Sequence, residues 1–196
     1  MIGLGLGAIS FFIVIWVDVA AIKKINWLKP LLWITSITVF LLAVDSALSD
    51  SVRYAAAPTV HIAGWALVAL SLVLLCYSLF FEIPFLAAYV RTGQPARVVS
   101  RGTYALCRHP GVLWFAGVMA GLLLAHPTRS LLFCAPIWLG LDTLYAYLQE
   151  RLFFVRMFGT EYVSYQRSVP MLIPTLTSVR ECLRTLPGRD IGSSAG

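Results

Sequence analysis

A chain of 196 residues that is 59% hydrophobic and only 12% charged is too apolar for a soluble domain, where about a quarter of the residues carry charge. With a formal net charge of +6, this balance points to one integral membrane domain and argues against a soluble basic module that binds nucleic acid. No basic region precedes the first apolar run, and Lys23 and Lys24 follow it, so no cleavable signal peptide is expected.

Five apolar segments are predicted in chain order. They are Ile2–Ile22, Trp27–Leu48, Val60–Ile83 with an extension past Pro84 towards Tyr89, the short Val112–Ala125, and Leu131–Leu148. Crossing the hydrocarbon core takes roughly 20 residues, so the fourth segment is marginal. The fourth and fifth are expected to form a hairpin around His126–Arg129, tilted or partly re-entrant, with both ends on one side. Beyond it, Glu150–Phe158 is expected to prolong the fifth helix, and Gly159 to cap it. Tyr162, Tyr165 and Val169 recur at helical spacing and suggest a short interfacial helix. Pro170 and Pro174 are expected to end regular structure. The fold class is therefore all-α integral membrane, with about five transmembrane helices, a C-terminal helical hairpin and a short cytoplasmic interfacial segment. Residues 1–186 read as a single domain, and the Gly/Ser-rich 187–196 as a disordered tail.

Lysine and arginine placement sets the orientation. With the N-terminus outside, 13 of the 15 basic residues fall inside, and Arg53 and Arg129 alone fall outside. The expected setting is a prokaryotic inner membrane with a cytoplasmic C-terminus. The inner basic residues would also meet anionic headgroups. His61 and His126, on the outer side, read as ordinary loop residues. The four cysteines lack a C-x-x-C spacing and read as packing residues, so neither a disulfide framework nor a metal is expected.

Two polar stretches interrupt this pattern: Arg101–Pro110 (RGTYALCRHP) and Gln149–Pro174. Ionisable groups are expensive in such a setting and are functional candidates by default. Pro110 suits the first turn of the fourth helix and biases His109 away from helix. Arg108 and His109 would then stand beside helical N–H groups that favour a ligand carboxylate or phosphate. Equally, Arg108 can hold lipid headgroups while His109 caps the helix. The fifth helix returns to that side, so Glu150 can approach His109; it can bind a ligand ammonium or hydroxyl, orient the histidine, or form a surface pair with Arg151. Asp18, Glu82 and Asp142 lie in or near apolar runs and mark either sites or helix–helix hydrogen bonds. Glu82 is ranked first for ligand contact because Pro84 follows it. Gly3-x-x-x-Gly7 is a weak helix-packing signal.

GTYALCRHP, an apolar hairpin, then ERLFFVRMFGTEYVSY and VPMLIP together resemble the isoprenylcysteine carboxyl methyltransferase and phospholipid N-methyltransferase superfamily. The matching residues are Gly102, Tyr104, Arg108, His109 and Pro110; Glu150, Phe158, Gly159, Glu161, Tyr162 and Tyr165; then Pro170 and Pro174. The catalytic half would be about 97–174. The resemblance implies methyl transfer from S-adenosylmethionine to a lipophilic small molecule or lipid from the bilayer. It implies Arg108, His109 and Glu150 as catalytic residues, and Tyr104, Arg108, His109, Pro110, Glu150, Gly159, Tyr162 and Tyr165 as the cofactor's surroundings. Glu82, Trp114 and Asp142 are the substrate candidates. On this reading, replacing His109 or Glu150 weakens cofactor binding and leaves the unliganded fold largely intact.

Two departures leave the substrate class open. The family's x-Tyr-x-Gly after RHP is here Gly111, Val112, Leu113, Trp114, and its Glu-Glu pair is Gln149-Glu150. No lysine follows Lys29, so an acceptor that is anionic or already deprotonated is favoured. The alternatives are an NADPH-dependent membrane sterol or lipid reductase, whose C-terminal half is similar, and a non-catalytic membrane scaffold.

The charge asymmetry makes a topological prediction. Cysteines introduced at Ser49 and Ser193 should label from opposite sides of the membrane. Labelling of both from one side would contradict five crossings.

Overall fold

The computed structural model describes residues 2–82 and 98–186. Helix α1 is Ile2–Ile22 and α2 is Leu28–Leu48. Helix α3 is Pro58–Cys76 and passes into a π-helical turn, Tyr77–Glu82. Short α4 (Thr103–Leu106) precedes α5 (Pro110–Ala125) and α6 (Arg129–Gln149). Helix α6 runs on through a π-helical turn, Glu150–Phe154, into a last α-helical turn, Val155–Phe158. Helices α7 (Thr160–Ser168) and α8 (Leu176–Thr185) follow. Among the described residues, four helices are long and apolar enough to span a membrane, and α5 is a shorter apolar one. The fold is all-α and integral to the membrane, as its composition requires.

Helix identity follows from apolar runs of membrane length, and helix pairing follows from small residues. Lipid tails are as apolar as leucine, so burial alone does not hold spans together; close backbone approach and interhelical hydrogen bonds do. Helix α1 meets α2 at Gly3, where an added Cβ would stand 2.8 Å from the Ala43 carbonyl oxygen. Two turns deeper, the Ser10 and Ser36 hydroxyls lie 3.0 Å apart, and each also donates to the other's carbonyl. Gly7 makes room for the Trp138 indole from α6, whose ring nitrogen stands where an added Cβ would go. The Gly3-x-x-x-Gly7 pattern therefore serves two different neighbours.

Helices α3 and α5 also pack within backbone contact. Gly117, Gly121 and Ala125 present a small-residue stripe on α5 at four-residue spacing. A Cβ at Gly64 would stand 2.5 Å from the Ala125 amide nitrogen and 2.8 Å from the Gly121 carbonyl oxygen. Phe11, Phe40, Phe115 and Trp138 pack in the centre with centroid separations of 5.2–6.2 Å. Large apolar side chains such as Phe12, Ile34, Leu70 and Phe133 face outward, as lipid contact demands.

At one end of the bundle the α2–α3 and α5–α6 connections clasp each other. Tyr54 N–H donates to Pro127 O at 2.9 Å and Arg129 N–H to Val52 O at 3.0 Å. Thr128 Oγ1 donates to Ala47 O and accepts from Leu131 N–H, capping α6. The Asp50 carboxylate accepts from both Ser130 N–H and Ser130 Oγ–H. The Ser130 hydroxyl leads in holding Asp50 down to about 2. Helix α5, at 16 residues, is roughly 24 Å long. Its far end nevertheless reaches the α2–α3 connection, to which the α5–α6 turn is hydrogen-bonded. The clasp gathers Arg53 and Arg129 at one end.

Three expectations need amendment. Regular structure does not end at Pro170 and Pro174, because α8 follows with a Thr175–Ser178 capping box. His61 lies inside α3, and its Nδ1 is 2.6 Å from the Ala125 carbonyl, across the α3–α5 seam. The third helix turns π-helical at Tyr77; its continuation past Pro84 and the tail 187–196 lie outside the described residues.

The α3–α5 contact makes a packing prediction. Gly64→Ala has no room to relax, since its neighbours are backbone atoms, and overpacking there should lower stability by about 1–3 kcal/mol. Gly140→Ala, with nothing within 4 Å of the new methyl, should be near neutral. Equilibrium unfolding in mixed micelles compares the two; equal effects would contradict the seam.

Candidate functional site

The other end of the bundle holds the polar cluster, and Glu150 is its centre. Pro110 starts α5, as its fixed φ and missing N–H suit the first helical turn. That leaves Arg108 and His109 extended beside the helix mouth. Arg108 N–H donates to Pro170 O at 2.9 Å and His109 N–H to Met171 O at 3.2 Å. The two polar stretches are thus joined by backbone pairing before any side chain is considered.

The Arg108 guanidinium grips Glu150 with two bonds, Nε to Oε1 at 2.7 Å and Nη2 to Oε2 at 3.0 Å. His109 Nε2 lies 3.0 Å from Oε1, and Gln166 Nε2 donates to Oε2 at 2.9 Å. A carboxylate facing Arg108 accepts only, so His109 carries its proton on Nε2. Arg108 Nη1 donates to the Val169 and Gln166 carbonyls at 2.6 and 3.0 Å. The side chains of Arg108 and Glu150 are 11% and 6% exposed. Burial opposes the Arg108 charge, but the bonds to Glu150 outweigh it and hold the guanidinium above its ordinary value.

An aromatic wall surrounds this pair. The His109 ring stacks on Phe154 with centroids 6.1 Å apart, and Tyr162 packs against Phe154 and Phe158. Tyr165 Oη donates to Tyr104 O at 2.6 Å, tying α7 to α4. The Tyr162 hydroxyl is buried and makes no hydrogen bond to a described residue. Burial pushes it well up, and the nearby Glu150 charge adds to this. Burial likewise raises Tyr165, and pushes the Cys107 thiol up to about 11. Gly159 has φ of 58°, a left-handed turn with nothing within 4 Å of an added Cβ; conformation, not space, calls for glycine there.

Of the sequence candidates, Arg108, His109, Glu150 and Tyr162 meet at one point, flanked by Tyr104, Pro110 and Tyr165, whereas Gly159 is exposed and shapes the turn between α6 and α7. Glu82 lies in a second, adjoining network. It is buried, faces into the protein, and accepts from Thr103 N–H and the Thr103 hydroxyl. Gly102, at φ of 58°, is required beside it, since an added Cβ would strike the Glu82 carboxylate. Trp114 Nε1 donates to Ser78 Oγ at 2.9 Å, and Ser78 Oγ is 2.9 Å from Thr103 Oγ1. Trp114 thus joins Glu82 through two hydroxyls. Asp142 is not brought to either network: it is half-buried on α6, eight residues before Glu150 and so roughly 12 Å along the axis.

Sequence reasoning missed Gln166, Phe154 and the Val169 carbonyl. None carries a signal alone, although Gln166 lies one turn beyond Tyr162 and shares its face. Gln149 does not reach the cluster. It donates to Asp18 Oδ2 at 3.0 Å, beside Tyr145 Oη at 2.8 Å. A glutamate at 149 would set two carboxylates together in the membrane, which gives this departure a physical reason.

Comparison with protein-family models, with curated proteins and with solved structures finds no match.

The four bonds to Glu150 change one expectation. Glu150 also holds the unliganded fold, because its loss strands a buried guanidinium. Glu150→Ala should lower stability by about 3–5 kcal/mol, and the double variant Arg108→Met/Glu150→Leu should recover much of it. Unfolding of the single and double variants in micelles checks this. A double variant no more stable than Glu150→Ala would contradict a buried, mutually dependent pair.

Proposed function

We propose that this protein transfers a methyl group from S-adenosylmethionine to a lipophilic acceptor, at the membrane face where Glu150 lies. That face is cytoplasmic on the charge distribution, and the acceptor enters from the bilayer. The observation that carries the reading is convergence. Three separated stretches, each resembling part of one family pattern, meet around a single carboxylate: Tyr104–Pro110, Glu150–Tyr165 and Val169–Met171.

The residues suit a zwitterionic cofactor. Arg108 offers a cation for a carboxylate, and Glu150 an anion for an ammonium. The buried Tyr162 hydroxyl stands beside Arg108 and Glu150 without a well-formed hydrogen bond to a described residue, so a polar ligand group could complete its bonding there. His109 Nδ1 makes no hydrogen bond to a described residue and is the second free polar atom. S-adenosylmethionine supplies an electrophilic methyl on a sulfonium. The protein's contribution would be alignment and exclusion of water, which the Phe154–Phe158–Tyr162 wall suits. Trp114 and the Glu82 network would bound the acceptor's side, where a bulky indole in place of glycine narrows the mouth.

A scaffold without catalysis is the second reading, favoured by the saturation of both Glu150 oxygens within the protein. Titration calorimetry separates the readings. The protein in nanodiscs should bind S-adenosylhomocysteine, and His109→Ala should weaken binding about 10- to 150-fold, the worth of one charge-assisted hydrogen bond. Radiolabelled methyl from S-adenosylmethionine should enter extracted membrane lipids. Binding of NADPH instead would favour a reductase, and binding of neither would leave the scaffold.

A further inference from the structure

Helix α8 faces the wrong way for water. Its spacing places Leu176, Val179 and Leu183 on one stripe, which a soluble helix would bury. Here the stripe is outward: Leu176 is 82% exposed, Leu183 47% and Val179 37%. Ile173, just before the helix, is 82% exposed. The protein side of α8 is instead made of small residues, with Ser178 and Cys182 buried. It packs on α4, and Thr185 Oγ1 accepts from Gly102 N–H at 2.9 Å. An apolar stripe left out while the polar edge is buried implies an apolar phase on the outer side.

The charges beside the stripe say which phase. Arg184 is neutralised by two bonds to Glu181, at 3.0 and 2.6 Å. Arg180, one residue beyond Val179, is exposed and makes no ion pair with a described residue. An apolar stripe edged by an exposed arginine, on a chain already spanning the bilayer, fits the boundary between headgroups and acyl chains. We propose that α8 lies in the lipid interface at the Glu150 end of the bundle. Its Leu176–Val179–Leu183 stripe is immersed, and Arg180 contacts the phosphates of anionic lipids. The inference stands on α8's own surface and does not depend on the methyl-transfer reading.

The test uses the full chain in nanodiscs, one copy per disc. Cys76 is the exposed one of the four cysteines, so Cys76→Ser provides the background. An NBD fluorophore is attached at Val179→Cys, and at Ser51→Cys on an exposed bend as control. Iodide should quench the label at 179 far less than at 51. Protection should increase when phosphatidylglycerol is added to phosphatidylcholine discs. Arg180→Gln should remove that increase, with a roughly 5-fold lower ratio of docked to undocked helix, as expected for one arginine at an anionic surface. Equal quenching at 179 and 51 would overturn the proposal. Protection found only in discs holding two copies would overturn it in favour of a dimer face, and indifference to phosphatidylglycerol would overturn the anionic contact.

Discussion

The buried pair between Arg108 and Glu150 is the constraint on which this end of the molecule depends. Two charges withdrawn from water are stable together only if the remaining donors and lone pairs are satisfied. That requirement recruits His109, Gln166 and the Val169 carbonyl, and so fixes the start of α5, the end of α6, helix α7 and the strand-like approach of Pro170 and Met171. The π-helical turn at Glu150–Phe154 belongs to the same arrangement, because it carries Glu150 towards Arg108 and Phe154 under the His109 ring. Such a turn is a frequent accompaniment of functional sites.

Among the described residues, the other end has no comparable buried charge cluster and is held differently. Small residues bring α3 and α5 within backbone contact, and the Thr128, Asp50 and Ser130 bonds lock the connections. The bundle is therefore stiff at the clasp and polar at the mouth. The methyl transfer proposed above would draw on this division, with the frame in the membrane and the polar cluster at its edge.

Much of this was legible in the residues. The spans follow from apolar runs of sufficient length, and Gly159, Tyr162 and Tyr165 from spacing and turn chemistry. The meeting of His109 and Glu150 follows from topology alone, since helix α5 begins just after one and α6 returns to the other. What was hidden has physical reasons. The stripe Gly117–Gly121–Ala125 is short and sits in a segment read for hydropathy, where glycine counts for little. Helix α8 lies between Pro174 and Pro187, and its pattern of Leu176, Val179 and Leu183 spans only two turns. Gln149 looked like a lost acid; only the position of Asp18 on α1 shows why an amide belongs there. Glu82 stood out as a carboxylate in an apolar run ranked for ligand contact, but its partner Thr103 is 21 residues away and could not be named from spacing.

Nitrogen NMR of protein labelled only at histidine addresses the central claim most directly, since the chain has three histidines and the spectrum can be assigned by substitution. In the unliganded protein His109 should be protonated on Nε2, held so by Glu150. Addition of S-adenosylhomocysteine should move the His109 signals and leave His61 and His126 in place. A His109 spectrum that ignores the cofactor product, or one that never depends on Glu150, would contradict a site built around this carboxylate.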